Sequence, residues 1–232
     1  MSPGVNHILA SLPSDDRARL DPHLGTVVLS KDKPIYRFDD AIKTVYFPWD
    51  GVCSITRAMS DGRMVELETV GREGIVGHLA GFGEPIARFD AMVQVPGEGA
   101  YTLAVEPFRA EMRRQGALYD AVCRYMTFSH SLVATSAACN ALHDSVERCA
   151  RWLLMAHDRV GRDKFDLSHE YLAMMIGVRR PTATLAAGEL QKAGLIRYRR
   201  GKMEIVDREG LERVSCECYV NVEQHFLQRL CP

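Results

Sequence analysis

The chain lacks any apolar run of about 18–20 residues, so no segment is expected to cross a membrane. Its opening stretch, MSPGVNHILASLPSDDR, lacks the basic patch and long apolar core of a secretory leader. Cysteine is scarce early: Cys53 is the only one before Cys123, and the total of seven is odd and scattered. That speaks against a disulfide framework and for a reducing, cytoplasmic setting. Histidine never recurs as His-x-His, the usual nucleus of a facial metal site in a β-barrel oxygenase. Nor is there a surplus of positive charge, with 29 Lys/Arg against 30 Asp/Glu and a net charge of −1. What is present is an ordinary globular balance over 232 residues, 47% hydrophobic and 25% charged, enough for two modest domains.

The neutral total hides an asymmetry. Residues 1–144 carry 14 basic against 18 acidic side chains, whereas residues 145–206 carry 12 against 7. Within 177–202 stand Arg179, Arg180, Lys192, Arg197, Arg199, Arg200 and Lys202 against Glu189 alone. Positive charge gathered on one module is the footprint of a polyanion binder, and a solvated basic face is its plain alternative.

Periodicity divides the chain. Residues 7–24 read as a short amphipathic helix, with Ile8, Leu9, Leu12 and Leu20, broken at Leu12-Pro13. From 26 to about 105 come short β-type runs, among them 26–29, 44–47, 52–56, 64–67 and 91–95. Asp50-Gly51 and Asp61-Gly62 fall between runs, as two-residue hairpin turns with positive φ would require. Many closely spaced strands predict a β-barrel or jelly roll. Between Ala117 and Val160 there is neither Gly nor Pro, and a long helix is expected. Leu118, Val122, Tyr125, Ser129, Leu132, Ser136 and Cys139 recur at spacings of four and three. Such a heptad-like seam suits pairing with the same helix of a second chain, or packing on the chain's own barrel. Asp144-Ser145-Val146-Glu147 has the form of a capping box and starts a further helix.

Residues 166–206 carry the functional signal. Ser168 can cap a short helix bearing Leu172, Ala173 and Ile176, and Gly177 supplies a sharp turn. Pro181 opens a second helix, where its missing N–H costs nothing, with Ala183, Ala186, Ala187 and Leu190 inward. Gly194 ends that helix, and two short strands joined across Gly201 follow. Helix, tight turn, helix and β-hairpin make a winged helix-turn-helix. In such a layout Arg180, Thr182, Thr184 and Leu185 face the major groove, where Arg180 can donate two hydrogen bonds to a guanine edge. Arg179, Ser168, Arg199, Arg200 and Lys202 fall near phosphates, giving affinity rather than sequence choice.

Here the sequence resembles the Crp/Fnr family of bacterial transcription regulators. The resemblance rests on Ser168-His169-Glu170-Tyr171-Leu172-Ala173, Ile176-Gly177, Arg180 with Thr182, Leu190, Gly194-Leu195-Ile196 and Gly201. It implies an α+β chain with three parts: a double-stranded, jelly-roll-like β-roll sensor over 1–115, a dimerisation helix over 116–143 and a winged helix-turn-helix domain with a C-terminal helix over 144–232. It also implies a homodimer on pseudo-palindromic double-stranded DNA, an effector site in the β-roll, and RNA polymerase as a candidate further partner. Where familiar members carry a glutamate and a second arginine in the reading helix, this chain has Pro181 and Leu185, so their operator sequence is not carried over.

The family's nucleotide-binding members use Gly-Glu-Leu followed by Arg-Ser-Ala/Thr. This chain offers Gly77, His78 and Leu79, then Arg88, Phe89 and Asp90. A histidine, a bulky ring and a second carboxylate suit a cyclic phosphate poorly, so cyclic AMP is not the expected effector and the cofactor is left open. An N-terminal cysteine cluster of the iron–sulfur kind is missing. Cys216 and Cys218 stand two apart, outside common zinc spacings and on different faces of a helix, so they read as packing cysteines and no metal site is expected. No catalytic constellation emerges, and the chain is not expected to be an enzyme. The competing readings are a cupin-like metalloenzyme, which needs clustered histidines, and a winged-helix scaffold for protein partners.

Overall fold

The computed structural model describes residues 4–31 and 33–222. Positions 223–232 of the expected C-terminal segment lie outside the described residues.

The N-terminal amphipathic stretch forms α1 (His7–Ala10) and α2 (Ser14–Leu20), divided at Pro13. The Asn6 side chain accepts from Leu9 N–H to cap α1 and donates to the carbonyls of Pro48 and Gly74 at 2.8 and 2.9 Å. Seven strands follow: β1 (Leu24–Leu29), β2 (Pro34–Tyr36), β3 (Thr44–Pro48), β4 (Val52–Ala58), β5 (Met64–Val70), β6 (Asp90–Val95) and β7 (Gly97–Ala104). They form two antiparallel sheets, ordered β1-β7-β3 and β2-β6-β4-β5. Val45, Phe47 and Leu103 from the first and Val52, Val93 and Val95 from the second share one buried core.

The two Asp-Gly pairs behave differently. Asp61-Gly62 lies in the β4–β5 hairpin, with Gly62 at φ 80. Gly51 also has a positive φ of 84, but β3 and β4 belong to different sheets, so Asp50-Gly51 turns the chain from one sheet to the other and makes no hairpin.

Helix α3 (Val105–Arg113) closes the roll, and α4 (Ala117–Leu142) runs along it. The heptad-like seam of α4 is already occupied. Leu118, Val122, Tyr125 and Leu132 are buried within the chain, and Ser129 and Ser136 are half-buried. The apolar members of the seam therefore pack on their own domain. A 3.5-residue repeat marks a covered face without saying what covers it.

Asp144 caps α5 (Ser145–Val160): its carboxylate accepts from the N–H groups of Val146 and Glu147, while Glu147 accepts from Asp144 N–H at 3.0 Å. The C-terminal part then runs β8 (Lys164–Asp166), α6 (His169–Met175), α7 (Arg180–Lys192), β9 (Ile196–Arg199), β10 (Lys202–Ile205), α8 (Arg208–Val214) and α9 (Cys218–Val222). Its sheet is ordered β8-β10-β9. The architecture is α+β, with an N-terminal antiparallel roll, a long helix and a C-terminal helix-turn-helix with a wing. Among the described residues no helix is long and apolar enough to cross a membrane.

Candidate nucleic-acid interface and ligand pocket

Two glycines shape the helix-turn-helix. Gly177, at φ 62, ends α6: Val178 N–H reaches Ala173 O at 3.0 Å and Gly177 N–H reaches Met174 O at 3.4 Å. Gly194, at φ 78, ends α7 in the same way through Leu195 N–H to Leu190 O and Gly194 N–H to Gln191 O, each at 3.0 Å. This is the Schellman arrangement, which needs the left-handed conformation that glycine adopts without strain. Ser168 Oγ accepts from Tyr171 N–H at 3.2 Å and fixes the start of α6. Ala183, Ala186, Ala187 and Leu190 are buried against the domain, as their spacing predicts.

The opposite face of α7 is open. Arg180, Thr182, Thr184 and Leu185 are exposed, Leu185 at 69%, and Arg179 stands exposed at the N-cap. Thr184 is internally engaged: its hydroxyl donates to Arg180 O at 3.0 Å and lies 2.9 Å from His169 Nδ1. With the hydroxyl proton on Arg180 O, the Nδ1–H of His169 is the donor to Thr184. The His169 ring stacks on Tyr198 of the wing at 4.1 Å between centroids, locking α6 to β9. Burial, with the Arg180 charge second, lowers the His169 pKa and keeps the ring neutral. Sequence spacing gave no sign of this contact.

The wing turn is Arg200-Gly201, both with positive φ (50 and 79), between paired Arg199 and Lys202. Two positive-φ residues in a two-residue loop are the type I′ hairpin, and a non-glycine at the first position is tolerated at some cost. Arg179, Arg180, Arg199 and Arg200 make no ion pair among the described residues, whereas Lys202 pairs with Asp166 at 3.4 Å and Arg197 with Glu204 at 2.8 Å.

A second feature lies in the roll. A cavity of about 270 Å³ lies between the β2-β6-β4-β5 sheet, the loops around Gly77 and Arg88, and α4. The predicted effector residues Gly77, His78, Leu79, Arg88 and Phe89 line it, joined by Met126, Ser129 and Val133 of α4. Asp90 does not; its carboxylate accepts from Phe38 N–H at 3.1 Å. Arg88 is tied to Glu84 at 3.1 Å on the half-exposed rim. The polar end of the cavity is acidic and deep: Glu68 is buried and accepts from Tyr125 O–H at 2.7 Å. Burial, then Glu68, raises the Tyr36 pKa, and Tyr125 is shifted in the same direction for the same reasons. His78 Nδ1–H donates to Ile75 O at 3.2 Å, its ring meets Tyr125 edge-on at 5.4 Å, and burial lowers its pKa. Sequence reading missed Glu68 and Tyr36, which lie on strands with no motif around them.

Cys216 and Cys218 do not pack as isolated thiols. Cys216 precedes α9 rather than lying within it, so the argument from opposite helix faces fails, and both sulfurs converge on Cys139 and His143 at the end of α4.

Residues 147–214 match the Crp-like helix-turn-helix domain. The transcriptional regulator SdrP of Thermus thermophilus is 34% identical over 61 residues, which span 26% of this chain and 30% of that protein. The chain thus matches less than a third of that relative's length. Two solved structures agree in fold along most of both chains. TTHB099 of Thermus thermophilus, a transcriptional regulator of the CRP family, has a TM-score of 0.67 and 23% identity, covering 82% of this chain and 96% of that one. FixK2 of Bradyrhizobium japonicum has a TM-score of 0.68 and 16% identity, covering 83% and 98%. Residues 147–214 are a Crp-like helix-turn-helix domain, and the chain as a whole has the fold of the Crp/Fnr family of transcription regulators.

Proposed function

We propose that the protein is a homodimeric, sequence-reading DNA-binding transcription regulator whose β-roll cavity takes an effector other than a cyclic nucleotide. One observation carries the reading: four arginines free of ion pairs among the described residues, Arg179 and Arg180 opening α7 and Arg199 and Arg200 on the wing, stand on one winged module. A chain that neutralised its own surface charge would have paired them. Arg180 and Thr182 read base edges and Leu185 meets a thymine methyl, while Thr184, its proton already given to Arg180 O, is left as an acceptor. Arg179, Ser168, Arg199, Arg200 and Lys202 hold the phosphates.

The parts divide as sensor (1–115), dimerisation helix (116–143) and DNA-binding domain (144–232). Because the Leu118–Ser136 seam is covered, pairing falls to the exposed side of α4. There Val133, Ala134, Ala137, Ala138, Ala141 and Leu142 form a charge-free strip with small side chains. Val133 also lines the cavity, so filling the cavity acts on the same turn of α4 that pairs. The apolar walls (Ile42, Ile55, Leu67, Phe89) and the buried Glu68 favour an uncharged or cationic, mostly apolar effector over a phosphate.

Selection of genomic fragments by the purified protein tests this reading, with sequencing of what is retained. Two inverted half-sites one helical turn apart are expected. Fragments without any common sequence element would contradict it. A metalloenzyme in the roll is less well supported: His78, Glu68 and His130 line the cavity, but among the described residues their ligand atoms do not converge as a metal group.

A further inference from the structure

Four side chains that could ligate a metal converge where the long helix ends. Cys139 and His143 are one turn apart at the C-terminal end of α4, His143 being its C-cap residue. Cys216 and Cys218 come from the segment joining α8 to α9, 77 residues from Cys139 at the nearest. The Sγ atoms of Cys139 and Cys216 are 3.5 Å apart, Cys218 Sγ is 3.7 Å from His143 Nδ1, and all four ligand atoms lie within 4.8 Å of one another. Two sulfurs bound to one zinc ion at about 2.3 Å in tetrahedral geometry stand about 3.8 Å apart. The observed spacing therefore encloses a single ion and leaves no room for a polynuclear cluster.

We propose that Cys139, His143, Cys216 and Cys218 form a mononuclear, zinc-class metal site that staples the end of α4 to the C-terminal helical segment.

Three further features fit a metal better than packing. His143 turns Nδ1 toward the sulfurs while its Nε2 is held by Glu217 at 3.1 Å, the outer carboxylate that fixes ring and tautomer in metal-bound histidines. The three cysteines form their own buried group apart from the main hydrophobic core. Three thiolates and one histidine around a divalent ion leave one negative charge, and the buried Arg151, which donates to Ser136 one turn before Cys139 at 3.1 Å and whose Nε has no hydrogen-bond partner among the described residues, brings a positive charge to this end of α4. Binding releases the thiol protons to solvent and involves no electron transfer.

Metal content of the full chain, purified under reducing conditions and exposed to stoichiometric Zn²⁺, tests the proposal, together with the absorption spectrum after Co²⁺ replaces zinc. One metal per chain and the strong visible bands of tetrahedral thiolate-bound cobalt are expected. Cys123→Ser, outside the cluster, should keep both; Cys139→Ser and Cys216→Ser should lose both. Should those variants fail to fold, two milder ones decide. His143→Cys should retain one tetrahedral metal, and Glu217→Ala should weaken affinity roughly 10–100-fold. A folded, reduced wild type that takes up neither ion overturns the proposal, as does a native Cys139–Cys216 disulfide found by peptide mapping. Metal content unchanged in Cys139→Ser and Cys216→Ser would do the same. None of these readouts depends on DNA binding, so this site and the regulatory reading can fail separately.

Discussion

Arg159 of α5 donates its Nε–H to Glu73 of the roll at 2.8 Å, and both side chains are only 2% exposed. Around this pair the two domains interlock. Arg72 donates twice to the Arg159 carbonyl, at 2.8 and 3.1 Å, and Trp152 Nε1–H reaches the buried Glu66 at 2.9 Å. Gly71 N–H also donates to Glu73 at 3.1 Å, so the carboxylate is held from both sides.

Removing one partner leaves the other charged and buried. Arg159→Ala is expected to cost about 3–5 kcal/mol of folding stability, and the double change Arg159→Met with Glu73→Leu should cost less than Arg159→Ala alone. Urea unfolding followed by circular dichroism measures both. Equal losses would show that packing, and not the stranded charge, sets the cost.

Placement of the paired face of α4 is tested by charge. Ala134→Glu with Ala138→Glu sets like charges on the exposed strip, while glutamate keeps the helix-forming tendency high. Sedimentation should report a mass near 26.0 kDa for this variant and about twice that for the unaltered chain. Leu118→Glu, by contrast, buries a charge in the chain's own core and should lower stability without a specific effect on pairing. A folded Leu118→Glu chain that dissociates would return the interface to the inner seam.

His78 gives the roll a pH dependence of definite sign. Burial lowers its pKa in the fold, with Glu68 and the Ile75 carbonyl only partly opposing, while in the unfolded chain it titrates near its ordinary 6.5. The unfolded state therefore takes up the proton first, and stability falls as pH drops through about 6.5 toward the lowered value. His78→Gln should flatten the melting temperature between about pH 7.5 and 5.5 relative to the unaltered chain. His7 and His169, lowered for the same reason, add to the slope that remains, and His143, raised by its hydrogen bond with Cys139, acts against them. An unchanged slope would mean that His78 takes up its proton equally readily in the folded and the unfolded chain.

Much of the architecture was legible in local signals. The capping box at Asp144, the glycines at 177 and 194 and the turn across Gly201 are each local signals, and each appears as read. What failed was whatever depends on partners distant in sequence. Asp50-Gly51 has turn chemistry, yet sheet membership decided that it crosses between sheets. The α4 seam has the right repeat, yet Tyr125 points to Glu68 of its own strand β5. Cys216 and Cys218 stand two apart in sequence, yet their sulfurs meet Cys139 and His143 of another helix, a neighbourhood that spacing does not reveal.

On the proposed DNA surface, side chains of one charge are expected to divide into two roles. Arg199→Ala with Arg200→Ala should weaken binding to all duplexes about equally and reduce the slope of log affinity against log salt by roughly 0.9 for each phosphate no longer neutralised. Filter binding across a salt series on several unrelated duplexes measures it. A change confined to one base position would mean that the wing reads sequence.

The most direct measurement is the affinity of the unaltered chain and of Arg180→Ala for the selected site and for a shuffled duplex, by fluorescence anisotropy at one fixed salt concentration. The unaltered chain should prefer its site, and Arg180→Ala should give up about 1–3 kcal/mol of that preference per half-site while keeping most of its affinity for the shuffled duplex. Equal affinity of the unaltered chain for both duplexes, or a preference that survives Arg180→Ala intact, would contradict the assignment of this helix as the reader of DNA.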